Sequence, residues 1–143
     1  MRIGIVGAEG AKFTKQGKRR ARAAILDLLQ PNDVVVSGGC HLGGIDIWAE
    51  DCALVLGLER LIFPPAVLSW EEGYKPRNIQ IATHSDYVVC FAVDRLPAGF
   101  DGMRHDLCYH CGTRDHIKSG GCWTVKYARK HGVPGEVRVI VND

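Results

Sequence analysis

The chain has 143 residues, a formal net charge of +2, 46% hydrophobic residues and 24% charged residues. That length suits one compact domain, and that balance excludes a disordered or fibrous chain and gives no electrostatic argument for nucleic acid by itself. No apolar run approaches the roughly 20 residues of a membrane span, and Met1-Arg2-Ile3-Gly4-Ile5-Val6 reads as a strand and not as a signal peptide. A cytoplasmic protein is expected.

Residues 2–6 form a short apolar run of the kind found in a buried strand, followed by a Gly7-Ala8-Glu9-Gly10 turn. A helix is predicted from about Thr14 to Gln30, with Ala21, Ile25, Leu28 and Leu29 as its apolar stripe and Pro31 as its stop. Residues 33–37 are a second buried strand, broken by Gly38-Gly39. A helix from about Gly44 to Leu56 follows, capped by Gly57, and then a third strand at 61–63, ended by Pro64-Pro65. Residues 66–75 lack a period and read as a surface loop. Pro76 to His84 is a helix with proline at the favoured first position. Residues 87–91 are the fourth strand. Residues 93–118 are polar and aperiodic, Cys122 to Lys130 is a helix, and 137–141 is the last strand.

The strict alternation of strand and helix, with short, continuous β-branched strands, predicts an α/β Rossmann-like three-layer sandwich. Its five-stranded, mainly parallel sheet is buried on both faces, and a single domain spans 1–143 with a Cys/His-rich insertion at 93–122. In such folds ligands bind at the carboxyl ends of the strands. Three glycine-rich stretches follow strands: Gly4 to Gly10, Ser37 to Gly44, and Ser119-Gly120-Gly121. Glycine allows backbone N–H groups to approach an anion closely, and a following helix adds its unpaired N–H groups and dipole. Three such stretches on one rim predict a phosphate-bearing ligand.

The order of motifs resembles the SLOG superfamily, which includes the Rossmann domain of DNA-processing protein A and the LOG-type phosphoribohydrolases. Val36-Ser37-Gly38-Gly39 with Gly44-Ile45-Asp46-Ile47-Trp48-Ala49-Glu50 is similar to its Ser-Gly-Gly and Gly-Ile-Asp-x-x-Ala-Glu signature. Lys75-Pro76-Arg77-Asn78, Asp86-Tyr87-Val88-Val89 and Gly120-Gly121-Cys122-Trp123-Thr124 resemble its later motifs. The resemblance covers nearly the whole chain outside 93–118. It implies a nucleotide-binding Rossmann-like protein that often associates into oligomers. Some members cleave the N-glycosidic bond of a nucleoside monophosphate with a glutamate one turn into the last helix. This chain has Lys126 and Tyr127 there, neither of which can stabilise an oxocarbenium ion.

The candidate ligand residues are Gly7, Ala8, Glu9, Ser37, Gly38, Gly39, Gly43, Gly44, Arg77, Asn78, Ser119, Gly120, Gly121 and Thr124. Arg77 could clamp a phosphate with two parallel hydrogen bonds or form a surface ion pair. Asp46 and Glu50, one helical turn apart, could act as a carboxylate pair, with Glu9 as a third catalytic candidate, or could be structural.

Cys108, Cys111, His116 and Cys122 have the spacing C-x2-C-x4-H-x5-C. This looks like the retroviral zinc knuckle with one extra residue before the last ligand. Zinc takes four tetrahedral nitrogen or sulfur ligands, and close cysteine spacing in a reducing compartment favours metal over disulfide. A structural zinc is therefore expected, with His105 as an alternative ligand. Cys40, Cys52 and Cys90 lie in or beside apolar segments and read as buried small hydrophobes. Lys12, Lys15, Lys18, Arg19, Arg20 and Arg22 crowd the first helix and the turn before it. They form a solvated face or, together with the knuckle, a nucleic-acid-binding surface.

Overall fold

The computed structural model describes every residue except Asp106. Five strands, β1 (Arg2–Gly7), β2 (Val34–Ser37), β3 (Glu59–Ile62), β4 (Tyr87–Val93) and β5 (Gly135–Ile140), form one sheet in the order β3-β2-β1-β4-β5, with every neighbouring pair parallel. Four α-helices flank it: α1 (Lys15–Leu28), α2 (Ile45–Val55), α3 (Lys75–Thr83) and α4 (Gly120–Lys130). The α/β Rossmann-like sandwich expected from the alternation is the observed fold.

The apolar residues divide between the two faces of the sheet. Ile3, Ile5, Val35, Val89 and Phe91 pack with Ala21 and Ile25 of α1 and with Ile45, Ala49 and Cys52 of α2. Val6, Val36, Val88 and Cys90 pack with Ile81 and Ala82 of α3, with Cys122, Val125 and Ala128 of α4, and with Cys108. The chain moves outward from β1 to β3 with helices on one face. It then crosses to β4 on the other side of β1 and proceeds outward with helices on the opposite face. The carboxyl ends of β1 and β4 therefore flank the topological switch point, where an open α/β sheet leaves a crevice.

Several local predictions need correction. Burial on both faces holds for β1, β2 and β4 but fails at the two edges, at β5, where residues 135–138 are half-buried and Val139 is exposed, and at β3, where Glu59, Arg60 and Ile62 are exposed. β3 is an edge strand, and charged residues on an edge discourage pairing with another chain. It also lies earlier than residues 61–63. The loop expected at 66–75 contains one turn of π-helix, Trp70–Tyr74, in which Tyr74 N–H donates to Ser69 O, and this turn runs directly into α3. Helix α4 starts at Gly120 and not at Cys122. Ser119 is its N-cap, with Oγ accepting from Gly121 N–H, so the glycine pair belongs to the first turn of the helix.

The rim is tied together by Asn142, 2% exposed. Its Oδ1 accepts from Thr14 N–H and Oγ1–H, its Nδ2 donates to Lys12 O and Arg95 O, and its backbone N–H donates to Asp94 Oδ1. The segment after β5 thereby holds the loops that follow β1 and β4. No helix among the described residues is long and apolar enough to cross a membrane.

Candidate functional site

A cleft of about 270 Å³ opens at the switch point. The loop after β1 supplies Gly7, Ala8, Glu9 and Lys12 to its lining, and the start of α4 supplies Lys118 to Gly121 and Thr124. Trp70, Tyr74, Arg77 and Asn78 close the side formed by α3. Two of the three glycine stretches therefore meet, and they meet closely. A Cβ on Gly121 would lie 2.9 Å from Gly7 N and 2.8 Å from Cys90 Sγ, so only glycine lets α4 approach β1 this far.

The second stretch contributes Cys40 and, from α2, Asp46. Ser37, Gly38, Gly39, Gly43 and Gly44 lie outside the lining and serve the scaffold. Gly44 has φ +84° and packs against the Ala8 carbonyl, which accepts from Ile45 N–H, so α2 is locked to the β1 loop. Gly38 O accepts from Arg77 Nη1–H at 2.7 Å, and Ser37 Oγ–H donates to Glu50 Oε2 at 2.6 Å. Glu50 is thus bound to Ser37 behind the cleft while Asp46 faces it. The two carboxylates, one turn apart in sequence, occupy different environments.

Not every amide of the rim is free. Ala8 N–H donates to Phe91 O, Gly121 N–H to Ser119 Oγ and Cys122 N–H to Ser119 O. The amides of Glu9, Ser119 and Gly120 make no hydrogen bond among the described residues. Beside them, Thr124 Oγ1 is fully buried without a partner among the described residues. The amino end of the 11-residue α4 adds its dipole.

Three cations line the same space. Arg77 is 8% exposed, with Nε donating to Asn78 Oδ1, Nη1 to Gly38 O, and Nη2 making no hydrogen bond among the described residues. Lys12 Nζ donates to Lys118 O at 3.3 Å, and burial pulls its pKa down while Glu9 opposes that shift. Asp46 balances them. Burial pushes its carboxyl up to about 6, against the pull of Arg77 Nη1 at 3.9 Å and with reinforcement from Glu50. The mouth is aromatic: Arg77 lies over the Tyr74 ring at 5.4 Å, and Trp70 meets Trp123 edge-on at 5.1 Å. The signal for Trp70 and Tyr74 was absent from the sequence, because a π turn has no apolar period to detect.

Cys108, Cys111, His116 and Cys122 come together, with their ligand atoms all within 4.8 Å of one another, in a cluster that could hold a metal ion. A tetrahedral site with metal–sulfur bonds of about 2.3 Å needs sulfurs about 3.8 Å apart, so little movement is required. Gly112 N–H donates to Cys108 O and Cys108 N–H to Thr113 O, which shapes the C-x2-C turn. His116 Nε2 lies 3.6 Å from Cys122 Sγ, and its Nδ1 is 2.6 Å from Asp115 Oδ1. A carboxylate behind the ring orients a metal-binding imidazole in this way.

The extra residue before Cys122 is accommodated because that cysteine projects from the first turn of α4. His105 packs edge-on against Tyr109 and is not in the cluster. Burial and the neighbouring Cys122 and Cys108 push the Cys111 thiol up to about 12, and Cys122 is also raised, chiefly by its contact with Cys90. Cys90 Sγ lies 3.9 Å from Cys122 Sγ, so Cys90 is a core residue that also abuts the cluster.

The basic run meets the Cys/His loop only where Lys12 Nζ donates to Lys118 O, among the described residues. α1 packs on one face of the sheet and Cys108 and Cys122 on the other, with Lys12 alone of the basic run reaching the cleft. Comparison with models of protein families, with curated proteins and with solved structures finds no match.

Proposed function

We propose that the cleft binds the phosphate of a nucleotide or nucleotide-derived ligand, and that the Cys/His cluster holds a structural zinc ion. The observation that carries the first part is the set of amides of Glu9, Ser119 and Gly120, unbonded among the described residues, where the β1 loop meets the amino end of α4. With Arg77, Lys12 and Lys118 these groups make a donor-rich, cationic pocket suited to a phosphate. The exposed ring of Trp70 and the ring of Tyr74 offer a base a stacking surface, and the motif order similar to SLOG proteins points the same way. Zinc is favoured by three thiols and one imidazole in a closed set of four.

Thermal unfolding in the presence of AMP, GMP, CMP, UMP and inorganic phosphate tests the cleft. A rise in Tm with at least one of them is expected, and no response to any of them refutes the reading. Elemental analysis of protein purified without added metal tests the ion. One zinc per chain is expected, and free thiols at Cys108 and Cys111 with substoichiometric metal refute it.

A second reading is favoured by Asp46. A carboxyl that titrates near 6 inside a phosphate-binding cleft is suited to general acid or base work on an N-glycosidic bond. Glu50 is held by Ser37 behind the cleft, while Glu9 and Asp46 both line it, and the raised carboxyl of Asp46 is the one suited to act as the acid. Release of free base from a nucleoside monophosphate, abolished by Asp46→Asn, would establish it. Binding without base release would leave a carrier or sensor.

A further inference from the structure

We propose that the Cys/His metal centre positions the phosphate-binding backbone, so that metal and phosphate ligand bind cooperatively. The inference rests on the reading of the cleft given above and adds its regulation. Four consecutive cleft-lining residues, Lys118, Ser119, Gly120 and Gly121, are bracketed by two members of the metal cluster, His116 and Cys122. An ion bound there fixes this stretch at both ends.

Apart from the cluster, the stretch is held by Ile117 N–H on Val93 O, Lys12 Nζ on Lys118 O, and the Gly121 and Cys122 amides on Ser119, while the Ser119 and Gly120 amides make no hydrogen bond among the described residues. The two glycines between the anchors lose more freedom on ordering than any other residue type. A phosphate that meets a backbone already ordered by the metal avoids that cost, and a phosphate that orders the backbone prepares the metal site in return. The Ser119 and Gly120 amides, unbonded among the described residues, stand just before Cys122, so the groups that would meet a ligand and the metal anchor share the first turn of one helix.

The coupling is positional. Four protein ligands close the coordination sphere of a structural zinc and leave no position for phosphate. Three thiolates and one divalent ion give the centre a net charge of about −1, which opposes an anion. Salt screens that repulsion and leaves the ordering in place, so the cooperativity persists or grows as ionic strength rises.

The test uses the tightest binder among AMP, GMP, CMP, UMP and inorganic phosphate, titrated by calorimetry into zinc-loaded protein and into protein stripped by chelator under reducing conditions. Binding is expected to weaken at least about fivefold on stripping, within the usual range of coupling between two sites. Cys111→Ser, at an exposed position outside the cleft, should weaken it similarly, and Cys111→His, which keeps four zinc ligands, should restore it. Competition with a chromogenic chelator should show the nucleotide raising zinc affinity by the same factor.

Equal nucleotide affinity with and without zinc overturns the coupling while leaving the cleft reading intact. Failure of all five probes to bind zinc-loaded protein overturns both. Hydrogen exchange separates local from global effects. Stripping should expose the amides of 107–123 and spare β1 and β4, and loss of protection throughout the sheet overturns the positional mechanism.

Discussion

Replacing Asp46 with asparagine should stabilise the fold at neutral pH. In the unfolded chain the carboxyl loses its proton near 3.8, whereas in the folded protein burial holds the proton up to about 6. Between those values the folded state binds more protons than the unfolded state, so the contribution of Asp46 to stability falls as pH rises through the window and stays unfavourable above it. A shift of a little over two pH units, at about 1.4 kcal/mol per unit, makes the ionised carboxylate about 3 kcal/mol less stable than the neutral group. The pull of Arg77 is already included in that shift. Asparagine mimics the neutral form, and its Oδ1 can still accept from Cys40 N–H as Asp46 Oδ2 does at 3.3 Å. Urea unfolding of both proteins from about pH 3.5 to pH 7.5 measures the difference. The variant should gain about 3 kcal/mol at pH 7, less as pH falls below 6, and nothing below about 4. A variant no more stable than its parent at pH 7, or a difference flat across the range, would refute the reasoning.

Four further expectations concern the rim and the metal. Gly121→Ala should lose about 1–3 kcal/mol and impair nucleotide binding, because the new methyl group would meet the β1 backbone. Gly120→Ala, with nothing within 4 Å of its Cβ position, should leave urea stability nearly unchanged while weakening nucleotide binding by crowding the cleft. Asn142→Ala should cost about 2–4 kcal/mol in the same assay, since Thr14 N–H, Lys12 O and Arg95 O lose their partner together. Zinc affinity, measured by chelator competition, should rise at least about tenfold per pH unit between about pH 6 and pH 8, because the raised thiols must release protons to bind. A flat profile would mean that thiolates are not the ligands.

The layer architecture was legible because buried parallel strands such as Val34-Val35-Val36 and Tyr87-Val88-Val89 have no alternative reading beside amphipathic helices. The edge strand β3 was placed too late, because Glu59 and Arg60 look like loop residues unless a partner strand is known. Cys108, Cys111 and His116 of the cluster were legible from spacing, since a C-x2-C turn brings its own thiols together, whereas the choice between Cys122 and His105 needed the fold. The candidate anion site was only half legible. Glycine marks where backbone can come close, but not whether an amide is already used, and Ala8 and Gly121 spend theirs within the fold. The split between Asp46 and Glu50 was hidden too, because Ser37 takes up one carboxylate and not the other, which no helical spacing reveals.

The edge-on meeting of Trp70 with Trp123 has a practical consequence. Trp70 belongs to the cleft mouth, Trp123 follows Cys122 in the chain, and the remaining tryptophan, Trp48, packs against Phe13 on the far face of the sheet. The protein therefore carries an intrinsic optical probe at the junction of its two candidate sites. Events at either one should alter ultraviolet emission without any label, against a steady background from Trp48.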